Sequence, residues 1–141
     1  MKKFEYFEVT ADIGFYAYGN SLNEAFENAS LAIFNIISST DNVEAEKQIE
    51  FKITSEDKVS LLYDYLEELL FYHEVEFMLF SQFSIQIQKN AEGYYDLRAV
   101  IAGEEIDWAK HDRKCEIKAI TFHQMAVNVK DTVELRAIVD L

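Results

Sequence analysis

Apolar and polar residues alternate along much of this 141-residue chain, and this period of two constrains the fold more than any other feature. Successive side chains of a β-strand point to opposite faces, so alternation indicates a strand with one buried face. The pattern predicts strands at residues 4–9, 13–18, 48–54, 80–88, 94–102, 115–130 and 133–140. The polar residues 89–93, which end in Gly93, predict a hairpin turn between two of these strands.

Two other segments repeat apolar residues at helical spacing. The first covers residues 22–37 and follows a capping box, in which Ser21 is the N-cap and Glu24 lies three residues later. The second covers about residues 56–76, with Thr54 or Ser55 as its expected N-cap. Together these patterns predict an α+β fold in a single domain, residues 1–141. Two amphipathic helices would pack on an antiparallel or mixed sheet of about six to eight strands.

Composition excludes several classes of protein. Half of the residues are hydrophobic and 14% are aromatic, which is too apolar for a disordered chain. No run reaches the roughly 18 apolar residues of a membrane span, and residues 1–5 lack the apolar core of a signal peptide. The single Cys115 cannot form an internal disulfide, which fits a reducing cytosol. We therefore expect a cytoplasmic protein without a membrane partner.

The formal net charge of −13 bears most directly on the choice of partner. A chain this acidic repels phosphate, so direct binding of nucleic acid is disfavoured. An acidic face would favour docking on a basic protein surface and would raise the association rate. Acidity that serves only solubility is the alternative interpretation.

Two aspartates occupy polar positions in the first and last apolar segments. Asp12 interrupts the run from Val9 to Gly14, and Asp140 precedes Leu141. If the two segments pair or end side by side, these carboxylates would form a hard-metal site, joined by the carboxylate of Leu141 where Leu141 ends the chain. Oxygen ligands of this kind suit Mg²⁺, Ca²⁺ or Mn²⁺. The alternative is a turn-forming Asp12 and an Asp140 that is solvated at a frayed end.

Other candidate residues lie in the C-terminal half. The polar segment 103–114 is the loop expected to be exposed and functional. Its Trp108 is expected to cover the core, with an interface contact as the alternative. His123 is expected on a strand, either buried or functional, and Lys118 as a solvated strand lysine or a complement to the carboxylates. The sequence contains no glycine-rich phosphate loop, nucleophile elbow or zinc-binding spacing of Cys and His.

Four blocks in the same order resemble the archease family over nearly the whole chain. The first is Thr-Ala-Asp-Ile-Gly at residues 10–14, followed by residues 18–29. The others are Leu-Leu-Tyr-Asp-Tyr-Leu-Glu-Glu-Leu-Leu-Phe at 61–71, Glu-Ile-Lys-Ala-Ile-Thr-Phe-His at 116–123 and Val-Asp-Leu at 139–141. The chain departs from the family at one position, because archeases usually carry a His before Thr-Ala-Asp and this chain has Val9.

The resemblance implies a specific role. Archeases are small, non-enzymatic partners of the RtcB-type RNA ligase, which joins tRNA halves during tRNA splicing with GTP and a divalent metal. They speed guanylylation of the ligase and allow it to turn over repeatedly. Family members bind a metal through residues that correspond to Asp12, Asp140 and Leu141. The resemblance thus implies that this chain has no catalytic residue. It also implies that GTP is bound by the ligase and not by this chain.

Two other functions remain as alternatives at the level of sequence. A small metal-dependent hydrolase would use Asp12 and Asp140, but it needs a general base, and no residue stands out for that role. A plain interaction module would use its acidic ends for solubility alone.

Overall fold

Strand pairing divides the chain into two antiparallel sheets. The computed structural model describes residues 1–141, and its strands are β1 Phe4–Val9, β2 Asp12–Gly19, β3 Lys47–Ser55, β4 Met78–Lys89, β5 Tyr95–Glu105, β6 Ala119–Ile120, β7 Ala126–Val129 and β8 Val133–Asp140. The five-stranded sheet has the order β1-β2-β8, with β6 and β7 both paired to β8, and the three-stranded sheet has the order β3-β5-β4. The α+β fold is confirmed, with its strands shared between two sheets.

Helix α1 covers Leu22–Ile37, as predicted. Its N-cap is Ser21, whose hydroxyl oxygen accepts a hydrogen bond from the Glu24 amide at 3.1 Å. The Glu24 carboxylate accepts from the amide of Asn20 at 2.9 Å, one residue before the position expected in a capping box. The first contact satisfies an amide that the start of a helix would otherwise leave unpaired, and the second fixes the chain just before the N-cap.

Helix α2 covers Lys58–Glu76 and begins later than predicted. Its N-cap is Asp57, whose carboxylate accepts from the Ser60 amide at 2.7 Å, so the prediction of Thr54 or Ser55 as the cap was wrong. Both of those residues belong to β3, where the backbone pairs with β5. No helix in this structure combines the length and apolar character that a membrane crossing needs.

Helix α1 covers the outer edge of β4. The amide of Ile85 donates to the Glu27 carboxylate at 2.9 Å, and the amide of Ile87 donates to the Asn23 side-chain oxygen at 2.9 Å. Side-chain capping of this kind satisfies edge amides that would otherwise be free to pair with another chain. A single core of 30 buried residues then connects both helices with both sheets.

The segment after β5 is far less regular than the sequence suggested. The prediction of one strand over residues 115–130 was wrong, because only β6 and β7 pair with β8. Between them the chain turns at residues 122–125, where the Met125 amide donates to the Phe122 carbonyl at 3.1 Å. Gln124 adopts a left-handed conformation in this turn, with φ of 54°. His123, expected on a strand, is exposed in the turn.

Gly103 in β5 lies against the backbone of β4, where a larger residue has no space. A methyl group on Gly103 would lie 1.8 Å from the Leu79 carbonyl oxygen and 2.7 Å from the Phe80 Cα atom. Backbone atoms cannot rotate away, so we expect Gly103→Ala to lower the free energy of unfolding by about 3 kcal/mol or more. Urea denaturation measures this loss.

Gly93→Ala is the control for this prediction. Gly93 has a φ of 86°, and no atom lies closer than 4.0 Å to a Cβ at this position. The substitution should therefore cost only the left-handed conformation, about 1 kcal/mol. Equal losses in the two variants would contradict the steric account of Gly103.

Candidate metal centre

Asp12 and Asp140 lie directly opposite each other in the antiparallel pair formed by β2 and β8. Opposed residues in such a pair have their Cα atoms about 4.5–5.5 Å apart and point their side chains to the same face. Two carboxylates in this arrangement can reach one cation, since calcium–oxygen distances are about 2.3–2.6 Å. The two candidate ligands are therefore adjacent, although they are far apart in sequence.

The lateral cross-strand neighbours of this pair are aliphatic. Val9 lies opposite Asp12 across β1 and β2, and Ala119 lies opposite Asp140 across β6 and β8. The row Val9-Asp12-Asp140-Ala119 thus crosses four strands of the sheet. An imidazole at position 9 would stand beside Asp12, whereas Val9 offers neither a metal ligand nor a hydrogen bond. The flanking positions also provide no general base.

The two carboxylates lack a counter-charge within the chain. Both residues are half-buried, and neither takes part in any of the ion pairs of this structure. Two like charges 4 Å apart repel by roughly 1 kcal/mol in water and by more where solvent is partly excluded. A bound divalent cation would replace this repulsion with attraction. The donor set therefore fits a hard cation that is supplied from outside the chain.

The end of β8 is fixed, which argues against a frayed terminus. Asp140 pairs with β2 on one side and with β6 on the other, and its carbonyl accepts from the Lys118 amide at 2.8 Å. The Leu141 side chain packs against the core. Where Leu141 ends the chain, its carboxylate is held one residue from Asp140. The Lys118 side chain is exposed and forms no ion pair.

A tight turn sets the position of Asp12. Only Thr10 and Ala11 separate β1 from β2, and Val9 pairs with Asp12 to close the hairpin. Ala11 has a φ of 63°, a conformation that costs a non-glycine residue roughly 1–2 kcal/mol. The pairing of β1 with β2 maintains this conformation, and Asp12 follows it directly as the first residue of β2.

A second acidic cluster contains Glu44, Glu46 and Glu104, whose carboxylate oxygens lie within 4.8 Å of one another. Its positive charge comes from Lys110, whose Nζ lies 2.8 Å from both oxygens of Glu104 and 3.6 Å from Glu44. An ammonium group of the chain itself thus takes the position that a cation would need. We assign this cluster a structural role.

His111 and Glu104 anchor the segment that the sequence suggested was exposed. Both residues are buried, so the prediction of an exposed loop was wrong for them. His111 Nδ1 accepts from the Asp107 amide at 3.0 Å, which leaves the proton on Nε2. Nε2 lies 3.2 Å from Glu104 Oε2, a contact that falls outside regular hydrogen-bond geometry. The amide of Glu44 and then the Lys110 ammonium lower the pKa of Glu104 to about 2.

Trp108 does not cover the core, contrary to expectation. Its side chain is 38% exposed, and the Arg113 guanidinium lies 5.0 Å from the ring centroid. This geometry is a surface cation–π contact. The periodicity of apolar residues could not predict this contact, because the segment between β5 and β6 has no regular structure.

Comparison with known proteins finds similarity to a single family. Residues 4–141 match the model of the Archease protein family. The protein archease of Methanothermobacter thermautotrophicus is 50% identical over 142 residues, which cover 100% of each chain. That of Pyrococcus abyssi is 45% identical over 127 residues, or 90% of this chain and 89% of the relative. The solution structure of Methanobacterium thermoautotrophicum protein 1598 is similar with a TM-score of 0.89, 48% identity and 100% coverage of both chains.

The network around Glu104 predicts a dependence of stability on pH. The folded-state pKa of Glu104, about 2, is below its ordinary value of 4.5. Its contribution is therefore complete above pH 4.5 and is lost as the pH falls toward 2. We expect the free energy of unfolding to fall more steeply over this window in the parent than in Glu104→Gln. Urea denaturation at a series of pH values measures the difference, and parallel curves would contradict the assignment.

From the opposed aspartates we predict that added cations reverse the order of stability between the parent and its aspartate variants. In buffer with a chelator, Asp12→Asn and Asp140→Asn should be as stable as the parent or more stable by up to about 1 kcal/mol, because one of two facing charges is removed. Excess Ca²⁺, Mg²⁺ or Mn²⁺ should then stabilise the parent and not the variants. Thermal unfolding with and without each cation tests this.

Asp131→Asn is the matched control for the cation experiment. Asp131 is an exposed aspartate in the turn before β8, so this variant should respond to cations as the parent does. A parent whose unfolding temperature is unchanged by all three cations would contradict the site.

Proposed function

Because this chain belongs to the archease family, we propose that it is a protein cofactor of an RtcB-type RNA ligase in the cytoplasm. In this role it promotes guanylylation of the ligase and its repeated turnover in tRNA splicing, as the archease-like motifs imply. The chain carries out no chemistry of its own. GTP is bound by the ligase.

A divalent cation at Asp12, Asp140 and the Leu141 carboxylate forms part of the docking surface in this proposal. The main support is the cross-strand opposition of two carboxylates without an internal counter-charge. Calcium takes about six to eight oxygen ligands, and magnesium takes an octahedral set. The three protein carboxyl groups would hold such a cation without filling its coordination sphere. The bound cation would then supply positive charge to oxygens of the ligase or of its GTP.

Charge favours a protein partner over RNA. A net charge of −13 repels a phosphate backbone, whereas it attracts a basic protein surface. Attraction between exposed charges is screened by salt, so association should weaken as ionic strength rises. The tRNA substrate is accordingly held by the ligase.

The surroundings of the aspartates favour a cofactor over a hydrolase. Metal-assisted hydrolysis needs a group that positions or deprotonates water, in addition to the cation. The flanking positions carry Val9 and Ala119, and neither side chain can accept a proton. His123 lies in an exposed turn, outside the row of residues that contains the aspartates.

Guanylylation of a purified RtcB-type ligase tests this function. With GTP and metal, the parent chain should raise the rate and extent of guanylylation. Asp12→Asn and Asp140→Asn should lose the stimulation, because each removes a charged ligand while retaining the shape of the side chain. The control Asp131→Asn should stimulate like the parent.

Two outcomes would count against the proposal. Stimulation by both site variants at the parental level would exclude a role for the metal site in activation. A parent that stimulates no RtcB-type ligase but hydrolyses a phosphoester with added metal would establish the hydrolase.

A further inference from the structure

Phe122 presents an open aromatic face on the surface. Its ring stacks on Tyr63, with centroids 3.8 Å apart and an interplanar angle of 11°. Phe122 is nevertheless 56% exposed, so the face of the ring away from Tyr63 is accessible. Tyr63 lies on α2, and Phe122 begins the turn between β6 and β7. An aromatic side chain held by stacking yet exposed is well suited to anchor a contact, because little conformational entropy is lost on binding.

This ring forms part of a cleft of about 550 Å³, which we call the aromatic-acidic cleft. Its walls include the rings of Tyr63, Tyr94 and Phe122, and Tyr94 is 46% exposed. Glu56 and Asp64 add two exposed carboxylates. The cleft thus brings together the end of β3, the first turns of α2 and the two turns that carry Tyr94 and Phe122.

The charge of the cleft has one sign. No lysine or arginine lines it, and neither Glu56 nor Asp64 forms an ion pair. Asp64 accepts one hydrogen bond, from the Ser55 hydroxyl at 2.6 Å, which fixes its carboxylate at the wall. Just outside the cleft, the Glu67 carboxylate raises the pKa of the Tyr63 hydroxyl, so a further negative group lies nearby.

We propose that the aromatic-acidic cleft binds an arginine side chain of the partner protein. A guanidinium is planar, stacks on aromatic faces and donates several hydrogen bonds to carboxylates, so it matches both features of the cleft. A lysine ammonium is compact and strongly hydrated, and it matches the rings less well. The identification of the partner as the ligase rests on the proposed function, whereas the preference for arginine rests on the cleft alone.

The position of the cleft allows one partner to contact it together with the aspartate pair. Ala119 faces Asp140 across β6 and β8, and Phe122 follows three residues later. Three extended residues span about 10 Å, and paired strands are about 5 Å apart. The Phe122 backbone therefore lies within about 15 Å of Asp140, well inside the width of a typical protein interface. The arginine contact would orient the partner over the metal.

The first part of the test measures binding of the ligase in a chelating buffer. Phe122→Ala, Tyr94→Ala and Asp64→Asn should each raise the Kd by about tenfold, the scale of one cation–π or charged contact. Phe71→Ala is the control, since Phe71 is 49% exposed but lies outside the cleft. Thermal unfolding of each variant verifies that the fold is intact. Unchanged affinity in all three cleft variants would overturn the proposal.

The second part uses a short peptide with a single arginine, compared with the same peptide carrying lysine. The arginine peptide should shift the ring-proton resonances of Tyr94 and Phe122 in the parent, and the lysine peptide should shift them less. This part also decides the case in which the parent binds no ligase. Ring shifts would then support the cleft while the proposed function fails. Absence of shifts, or equal shifts with the two peptides, would overturn the assignment to arginine.

Discussion

The antiparallel pairing of β2 with β8 determines the positions of all groups at the candidate site. The register of this pairing is set by the core, because side chains such as Phe15 and Ala137 are opposed and fully buried on its inner face. A slip of one residue would turn the inner side chains toward solvent, at a cost of about 1.5–3 kcal/mol for each large apolar group. Burial of apolar residues therefore holds Asp12 opposite Asp140 in spite of their repulsion.

The two acidic clusters differ in where their positive charge comes from. Glu104 is balanced within the chain by Lys110, and its low pKa reflects this and the amide of Glu44. The pair of Asp12 and Asp140 forms no ion pair within the chain, so it is open to a cation or to a charged group of another molecule. This difference explains why only the pair of Asp12 and Asp140 is suited to a reversible contact. In the function proposed above, a cation held by these carboxylates would have coordination positions left for oxygens of the partner.

The periodicity of apolar residues correctly predicted the elements that local sequence patterns determine. The helix at residues 22–37 and the hairpin of β4 and β5 follow from repeating apolar residues and their flanking signals. It failed at residues 121–125, where a turn forms around a left-handed Gln124 without the glycine or proline that usually marks one.

The candidate sites could likewise not be predicted from local sequence patterns alone. Proximity of Asp12 to Asp140 was a conditional expectation, since only the pairing of distant strands can bring them together. Tyr63, Tyr94 and Phe122 gave no signal as a group, because tertiary packing alone assembles the cleft. The central claim is best tested by adding substoichiometric Mn²⁺ to isotope-labelled protein and following the paramagnetic broadening of amide resonances. Selective broadening around residues 12 and 140 is the predicted result, and broadening centred on residues 44, 46 and 104, or none that is selective, would contradict the account.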